Sequence, residues 1–309
     1  MRMHVIMLKT LKDLFSFRRT MLFVIAMIIA PLIGAGAFSE GAQISKMPLM
    51  MQDQMAVGFY IVLSFMWMVG IPLVLLAGLT CGGFIAKEDE EGTLLLLVSK
   101  PIRRCEIVAG KFLAFMINAA LLSLTALLLS ALIISSVLEL DVYIFNSILS
   151  LVQPLFLYSL FVAAVFGGVA TALSSVFKSV TKTAMTIAGI TILVFFGMMI
   201  VRSWLGMLYE DYSISHIDVN YHLGNVFLLF LDSSGYRMAP IFQGIMGMFT
   251  GTFDAADMAV LYDMDIGALP PQLPAKDYCT PPQSMLIWSA IATALFILGL
   301  MKFERREVN

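Results

Sequence analysis

The sequence is short of charge. Only 13% of its 309 residues are Asp, Glu, Lys or Arg, about half the share found in a water-soluble domain. Polar side chains are too few to cover a water-facing surface, so lipid must cover much of it. Cysteine is scarce as well: Cys81, Cys105 and Cys279 lie far apart, and an odd, scattered set makes neither a disulfide framework nor a metal knuckle. No G-x-x-x-x-G-K-[ST] phosphate loop occurs, so these residues carry no such nucleotide site of their own. Neither an H-E-x-x-H helix nor a Ser/His/Asp arrangement is present, and the apolar runs hold no carboxylate pair. Chemistry inside a bilayer needs ionisable groups there. A catalytic role, a cofactor and a resident metal are therefore not expected, and nothing points to a nucleic-acid partner.

What the sequence has is apolar length. Hydrophobic residues make up 60% of it, and its mean hydropathy is +0.92. A helix needs about 20 apolar residues to cross the hydrocarbon core, and a charge near the centre costs about 2.5–3.5 kcal/mol on the insertion scale. Uncharged runs therefore predict six spans, at about 21–38, 56–86, 112–138, 149–177, 183–201 and 284–301. The fold class read from this is an all-α polytopic membrane protein of six transmembrane helices. The second uncharged stretch, 54–86, would reach about 50 Å as one helix, so it tilts, kinks near Pro72 or protrudes. The fourth, 142–177, could instead be two short spans around 146–154, which would invert everything downstream.

Charge placement argues for the six-span arrangement. Of 19 basic residues, 15 fall in four alternating segments: before the first span, between the second and third, at Lys178 and Lys182, and after the sixth. The positive-inside rule then places both termini in the cytoplasm, as an even number of spans also requires. The 18 residues of the first span exceed a usual signal-peptide core, although Gly34-Ala35-Gly36-Ala37 leaves cleavage open. The segment 202–282 would face outward with most of the acidic charge of that side. Within it, 226–231 and 238–249 are apolar but too short to cross. They read as helices lying at the interface or packing on the spans, followed by a proline-rich strap.

Two side-chain groups on that face invite a metal reading. His216 and His222 lie near Asp211, Asp218 and Asp232, and Met47, Met50, Met51 and Met55 cluster before the second span. Imidazole with carboxylate suits zinc or copper, and thioethers suit Cu(I). The histidine spacing matches no known ligand pattern, however, and methionine is common throughout the chain. Polar surface and an apolar interface helix are the plainer readings.

The most informative stretch is 87–111, KEDEEGTLLLLVSKPIRRCEIVAGK. Gly92 can end a helical extension of the second span, Thr93 can cap a short leucine-rich segment, and Pro101 suits the first turn of the next helix. A leucine run exposed to water would be a sticky patch that something should cover. The protein's own helix ends or a partner could do so.

This pattern resembles the type 2 ABC export permeases. The match is carried by Glu88, Gly92, Thr93, Leu94, Ser99, Lys100, Pro101, Arg103, Glu106, Gly110 and Lys111. It extends to a basic helix before the first span and to the ending Phe303-Glu304-Arg305-Arg306-Glu307-Val308. Leu95 departs from the family, which often has an acidic residue there. The resemblance implies a transport subunit of the plasma membrane that exports its substrate, with an ABC ATPase on a separate chain, a second permease chain (a homodimer) and an amphipathic elbow helix over 7–19. It also implies cytoplasmic coupling helices. Their contact residues would be Glu88, Glu91, Gly92, Thr93, Leu94, Leu96, Ser99, Pro101 and Arg103, with Phe177 and Lys178 in a second, smaller loop. The alternative reading is a membrane-embedded scaffold whose large outer segment holds a partner enzyme or metal carrier.

Overall fold

A computed structural model of the chain describes residues 2–42, 47–92, 103–177, 179–254 and 272–305. Six helical segments in it are long and apolar enough to cross a membrane, and no strand is formed among the described residues. Helix α1 (Arg2–Leu14) precedes the first span, α2 (Phe17–Ala42). The second span is composite: α3 (Leu49–Leu63), a π-turn over Ser64–Met68, α4 (Ile71–Cys81) and α5 (Ala86–Glu90). The third and fourth are single long helices, α6 (Arg104–Val137) and α7 (Val142–Val176). The fifth comprises α8 (Val180–Ile192), a second π-turn over Leu193–Gly197 and α9 (Met198–Leu205). The sixth is α13 (Pro281–Glu304).

The long stretches resolve in different ways. The second span breaks at Gly70, just before Pro72. The amide of Val69 reaches back five residues to the carbonyl of Ser64 at 3.0 Å. Gly70 then adopts φ −98°, ψ −109°, and a Cβ there would collide with the Phe65 carbonyl. Pro72 follows in the first turn of α4, where its missing N–H costs nothing. The fourth stretch does not divide: α7 runs unbroken through Pro154, so no chain reversal occurs at 146–154.

Helix α7 is the axis of the bundle. Its most apolar window is 61% buried, against 17% for the first and sixth spans, and it packs against α3, α4, α6 and α13. Lipid tails are as apolar as leucine, so helices in a membrane associate through close packing and buried hydrogen bonds. Both devices are present. A Cβ on Gly168 would sit 3.3 Å from the Ala292 carbonyl, and one on Gly299 would sit 2.8 Å from the Ala172 Cα. The sixth span therefore lies nearly backbone-to-backbone on α7. Gly167 instead admits the rings of Phe112 and Phe115, while Gly197 faces only its own helical turn at Leu193. Trp67 donates to the Ala26 carbonyl at 3.0 Å, Tyr60 to that of Leu127 at 3.1 Å, and the hydroxyls of Ser123 and Ser159 meet at 2.9 Å.

Between the fifth and sixth spans lie α10 (Met207–Asp211), a 3-10 turn (Ile214–His216), α11 (Val219–Asp232) and α12 (Pro240–Thr250). The last two form a hairpin that packs on the spans rather than lying free. Leu223, Val226, Phe227, Leu231, Phe242 and Met246 all belong to the main apolar core. The Phe227 ring lies 5.0 Å from both Phe65 and Tyr158, beside the π-turn of the second span.

Candidate functional site

The ends of the spans converge at the end of the bundle where α1 lies, and this junction holds the described part of the motif. After Cys81 the second span continues as α5, whose first amides, Ile85 and Ala86, both donate to the Ser174 hydroxyl of α7 at 3.0 and 3.1 Å. The carboxylate of Glu88 pairs with the ammonium of Lys111 on α6, with side chains 21% and 12% exposed. The same ammonium donates to the Phe84 carbonyl at 2.7 Å. One lysine thus ties the start of the third span to the end of the second. Glu90 accepts from the Val180 amide at 3.3 Å, at the head of the fifth span. An anionic acceptor is favourable at a helix N-terminus.

The sixth span joins through Arg104. Its guanidinium donates to the Phe303 carbonyl at 2.9 Å and the Glu304 carbonyl at 3.3 Å, and stacks 5.7 Å from the Phe303 ring. A cation on the last carbonyls of a helix satisfies acceptors that have no partner within it. Beneath it Ile85, Val108 and Phe303 form a small apolar core of their own, flanked by Phe296 and Leu300. Helix α1 covers α6 here: a Cβ on Gly110 would meet the Met3 carbonyl at 3.0 Å and the Ile6 side chain at 3.5 Å. Leu11 turns partly inward, while Leu8 and Phe15 stay exposed on the other flank together with Lys9 and Lys12. The helix starts earlier than the expected 7–19 and stops at Leu14; the side chain of Arg19 is outside the description.

The other residues singled out by sequence fall as follows. Glu91 makes an exposed pair with Lys87 at 3.7 Å. Gly92 has φ +68° and follows the end of α5, the left-handed position where glycine carries no Cβ penalty. Arg103 is exposed and extended, and it precedes α6, which begins at Arg104. Phe177, half-buried, ends α7 in an extended conformation. Thr93, Leu94, Leu96, Ser99, Pro101 and Lys178 lie outside the described residues. Sequence reading missed Ser174, Glu90 and Arg104 as junction residues. It also missed Gly78 and Gly82, where a Cβ would come within 2.6 Å of Ile187 and 2.9 Å of Thr183. That Gly-x-x-x-Gly spacing in an apolar run was a readable sign of close helix approach.

At the opposite end two of the groups with metal-ligating chemistry, Asp218 and His222, are engaged with the protein itself. Asp218, fully buried, caps α11 by accepting from the amides of Asn220 and Tyr221 at 2.9 and 3.1 Å. It also pairs with Arg202 and accepts from the Tyr209 hydroxyl at 2.8 Å. Burial, then the Asp218 charge, push the Tyr209 pKa up. His222 lies 3.0 Å from the His216 carbonyl through Nε2 and 2.9 Å from the Ser284 hydroxyl through Nδ1. Only the neutral tautomer with the proton on Nε2 donates to the carbonyl while accepting from the serine, and burial lowers the His222 pKa accordingly. Among the described residues no three His, Cys, Asp or Glu side chains gather as metal ligands would. Glu210 accepts from Lys276 at 2.9 Å and from the Tyr278 hydroxyl; these bonds, the tyrosine's first, lower its pKa. The strap is bridged to the hairpin by Asp254 N–H to the Pro274 carbonyl and Lys276 N–H to the Thr252 carbonyl, both 2.9 Å.

Six apolar spans, five of them linked at one end by an ion pair and by side-chain bonds to helix ends, define a multi-pass membrane protein. Residues 7–308 match the family described as ABC-2 family transporter protein. That match covers nearly the whole sequence, and the chain belongs to this family of ABC transporter membrane subunits. Comparison with curated proteins found no match.

Proposed function

We propose that this chain is the permease subunit of an ABC exporter driven by an ATPase on a separate chain. It works as a pair of permeases in the plasma membrane with both termini in the cytoplasm. The family match carries the reading. The junction supports it, because a push on the segment 93–102 arrives at Gly92 and Arg103. From there the Glu88–Lys111, Glu90–Val180 and Arg104–Phe303 links lead to the second, third, fifth and sixth spans. No phosphate loop occurs in these 309 residues, and in this reading the nucleotide sits on a partner. Glu88, Glu91, Gly92, Thr93, Leu94, Leu96, Ser99, Pro101 and Arg103 form the main contact in this reading, and Phe177 and Lys178 the lesser one. The spans hold no charge between their ends, which favours an apolar or amphipathic substrate.

The test is Leu94→Asp. An unpaired charge placed in an apolar docking cleft costs several kcal/mol of association, while insertion in the membrane is expected to be normal. The variant should therefore lose ATPase co-purification and substrate-stimulated hydrolysis. Full retention of bound ATPase would overturn the coupling assignment, and a wild-type chain that binds no ATPase would favour the scaffold reading. Orientation is checked by labelling Asp263→Cys and Asn309→Cys in intact cells: only the first should react with an impermeant reagent. A purified complex with one permease per two ATPases would count against the pair.

A further inference from the structure

At the end of the fifth span and just past it the protein presents an apolar surface. Trp204 is 87% exposed, Met207 83%, Tyr212 76%, Ile217 74% and Leu208 50%. Gly206, at φ +50°, ends α9 and turns the chain away from the span axis into α10. The short helix is two-faced. Tyr209 points inward, 4% exposed, with its hydroxyl on Asp218, and Glu210 is held by Lys276 and Tyr278. Met207, Leu208 and Tyr212 occupy the outward face.

We infer that α10 and the 3-10 turn after it are an interfacial anchor, seated at the boundary between lipid headgroups and acyl chains on the side away from the coupling junction. The surface continues the exposed row Ile192, Phe196 and Ile200 of the fifth span, so one apolar face runs from the span to Trp204 without a gap. Tryptophan and tyrosine are the side chains that favour this depth, with an apolar ring and a polar edge. Arg202, the last cation of the span, is turned inward onto Asp218 and leaves the apolar face uncharged. Beside the patch Glu210 is paired with Lys276 and Asp211 is exposed, so the local charge is not net basic, and apolar insertion and not attraction to anionic lipid drives the contact. Through Tyr209 and Asp218 the anchor is fastened to the hairpin. The depth of the hairpin is thereby set by the lipid surface.

The experiment uses the full chain with Trp67→Phe and Trp288→Phe, leaving Trp204 as the sole indole, in phosphatidylcholine vesicles. Phospholipid brominated near the acyl carbonyls should remove at least half of its emission, and phospholipid brominated near the chain ends less. Added phosphatidylglycerol should leave the quenching unchanged. Should the double variant fail to fold, the wild-type chain and Trp204→Phe give the same quantity by difference. Quenching by aqueous acrylamide but not by brominated lipid would overturn the anchor in favour of an open water-facing surface. Resistance to all quenchers would mean that a second protein chain covers the patch. Stronger quenching from the chain ends would place Trp204 deep in the hydrocarbon core, and also overturns the proposal.

Discussion

Removing the Lys111 ammonium tests whether the junction acts as one unit. Lys111→Met keeps most of the apolar stem but deletes the pair with Glu88 and the hydrogen bond to the Phe84 carbonyl. Breaking a fully buried ion pair by removing one partner costs about 3–5 kcal/mol. Here the side chains are 12% and 21% exposed, and Glu88 keeps another interaction. Water at the membrane edge lowers the cost to about 2 kcal/mol. Glu88→Gln retains an acceptor for the lysine and should cost about 1 kcal/mol. The assay is reversible unfolding in mixed micelles for both single variants and the double, read as a cycle. The double variant should cost about 1 kcal/mol less than the sum of the singles, because its second change removes a group that has already lost its partner. Singles that add to within about 0.4 kcal/mol would show that the two residues do not act together, and the account of the junction as a tied unit would fall.

Gly299→Ala should destabilise the bundle by about 1–3 kcal/mol, because its Cβ meets the Ala172 backbone at 2.8 Å, where no side chain can swing aside; thermal unfolding in detergent reads it. Asp218→Asn keeps an acceptor for the α11 amides but leaves the Arg202 guanidinium without its counter-charge, at a cost of about 3 kcal/mol, seen as earlier proteolysis of 202–254 in otherwise intact chains. Acid should loosen the contact between the hairpin and the sixth span. The His222 pKa is lowered in the fold, by burial first, with the hydrogen bond to the His216 carbonyl and the Asp218 charge opposing the shift and the His216 ring adding to it, so the unfolded chain takes up the proton more readily. The stability His222 contributes is complete above its ordinary value of about 6.5 and declines as pH falls below that toward the folded value. Unfolding midpoints between about pH 8 and pH 5 should show the decline, and His222→Gln, which has no proton to gain, should flatten it.

The span count was legible because each charge inside a bilayer is expensive, so a run of uncharged residues carries its own signal. Glu88, Gly92 and Lys111 were legible as members of one motif, although their spacing alone does not say that the acid and the lysine pair. That contact depends on the angle at which the second span re-enters water, which is set by Ser174 capping the amides of Ile85 and Ala86. A serine in an apolar run has no pattern that separates a cap from a helix-packing hydroxyl. Arg104 was hidden for a related reason. Its value lies in the last carbonyls of the sixth span, some 200 residues away in sequence, and a basic loop residue looks the same whether it meets headgroups or a helix end.

The interior of the spans was the least legible part, for a physical reason. Periodicity reports that a run is apolar, not that its helix is regular, and a π-turn leaves the apolar pattern intact. Both interruptions are of this kind, Ser64–Met68 in the second span and Leu193–Gly197 in the fifth. They meet through Phe65 and Phe195, with ring centres 6.1 Å apart, where Phe227 of the hairpin also packs on Phe65. Only Pro72 marked one of them in advance. The same two spans approach most closely at the other end of α4, where Gly78 and Gly82 face Ile187 and Thr183. The second and fifth spans are thus packed closely, side chain onto glycine, next to the junction and interrupted above it. The aromatic contact at the irregular turns is where the hairpin meets both spans.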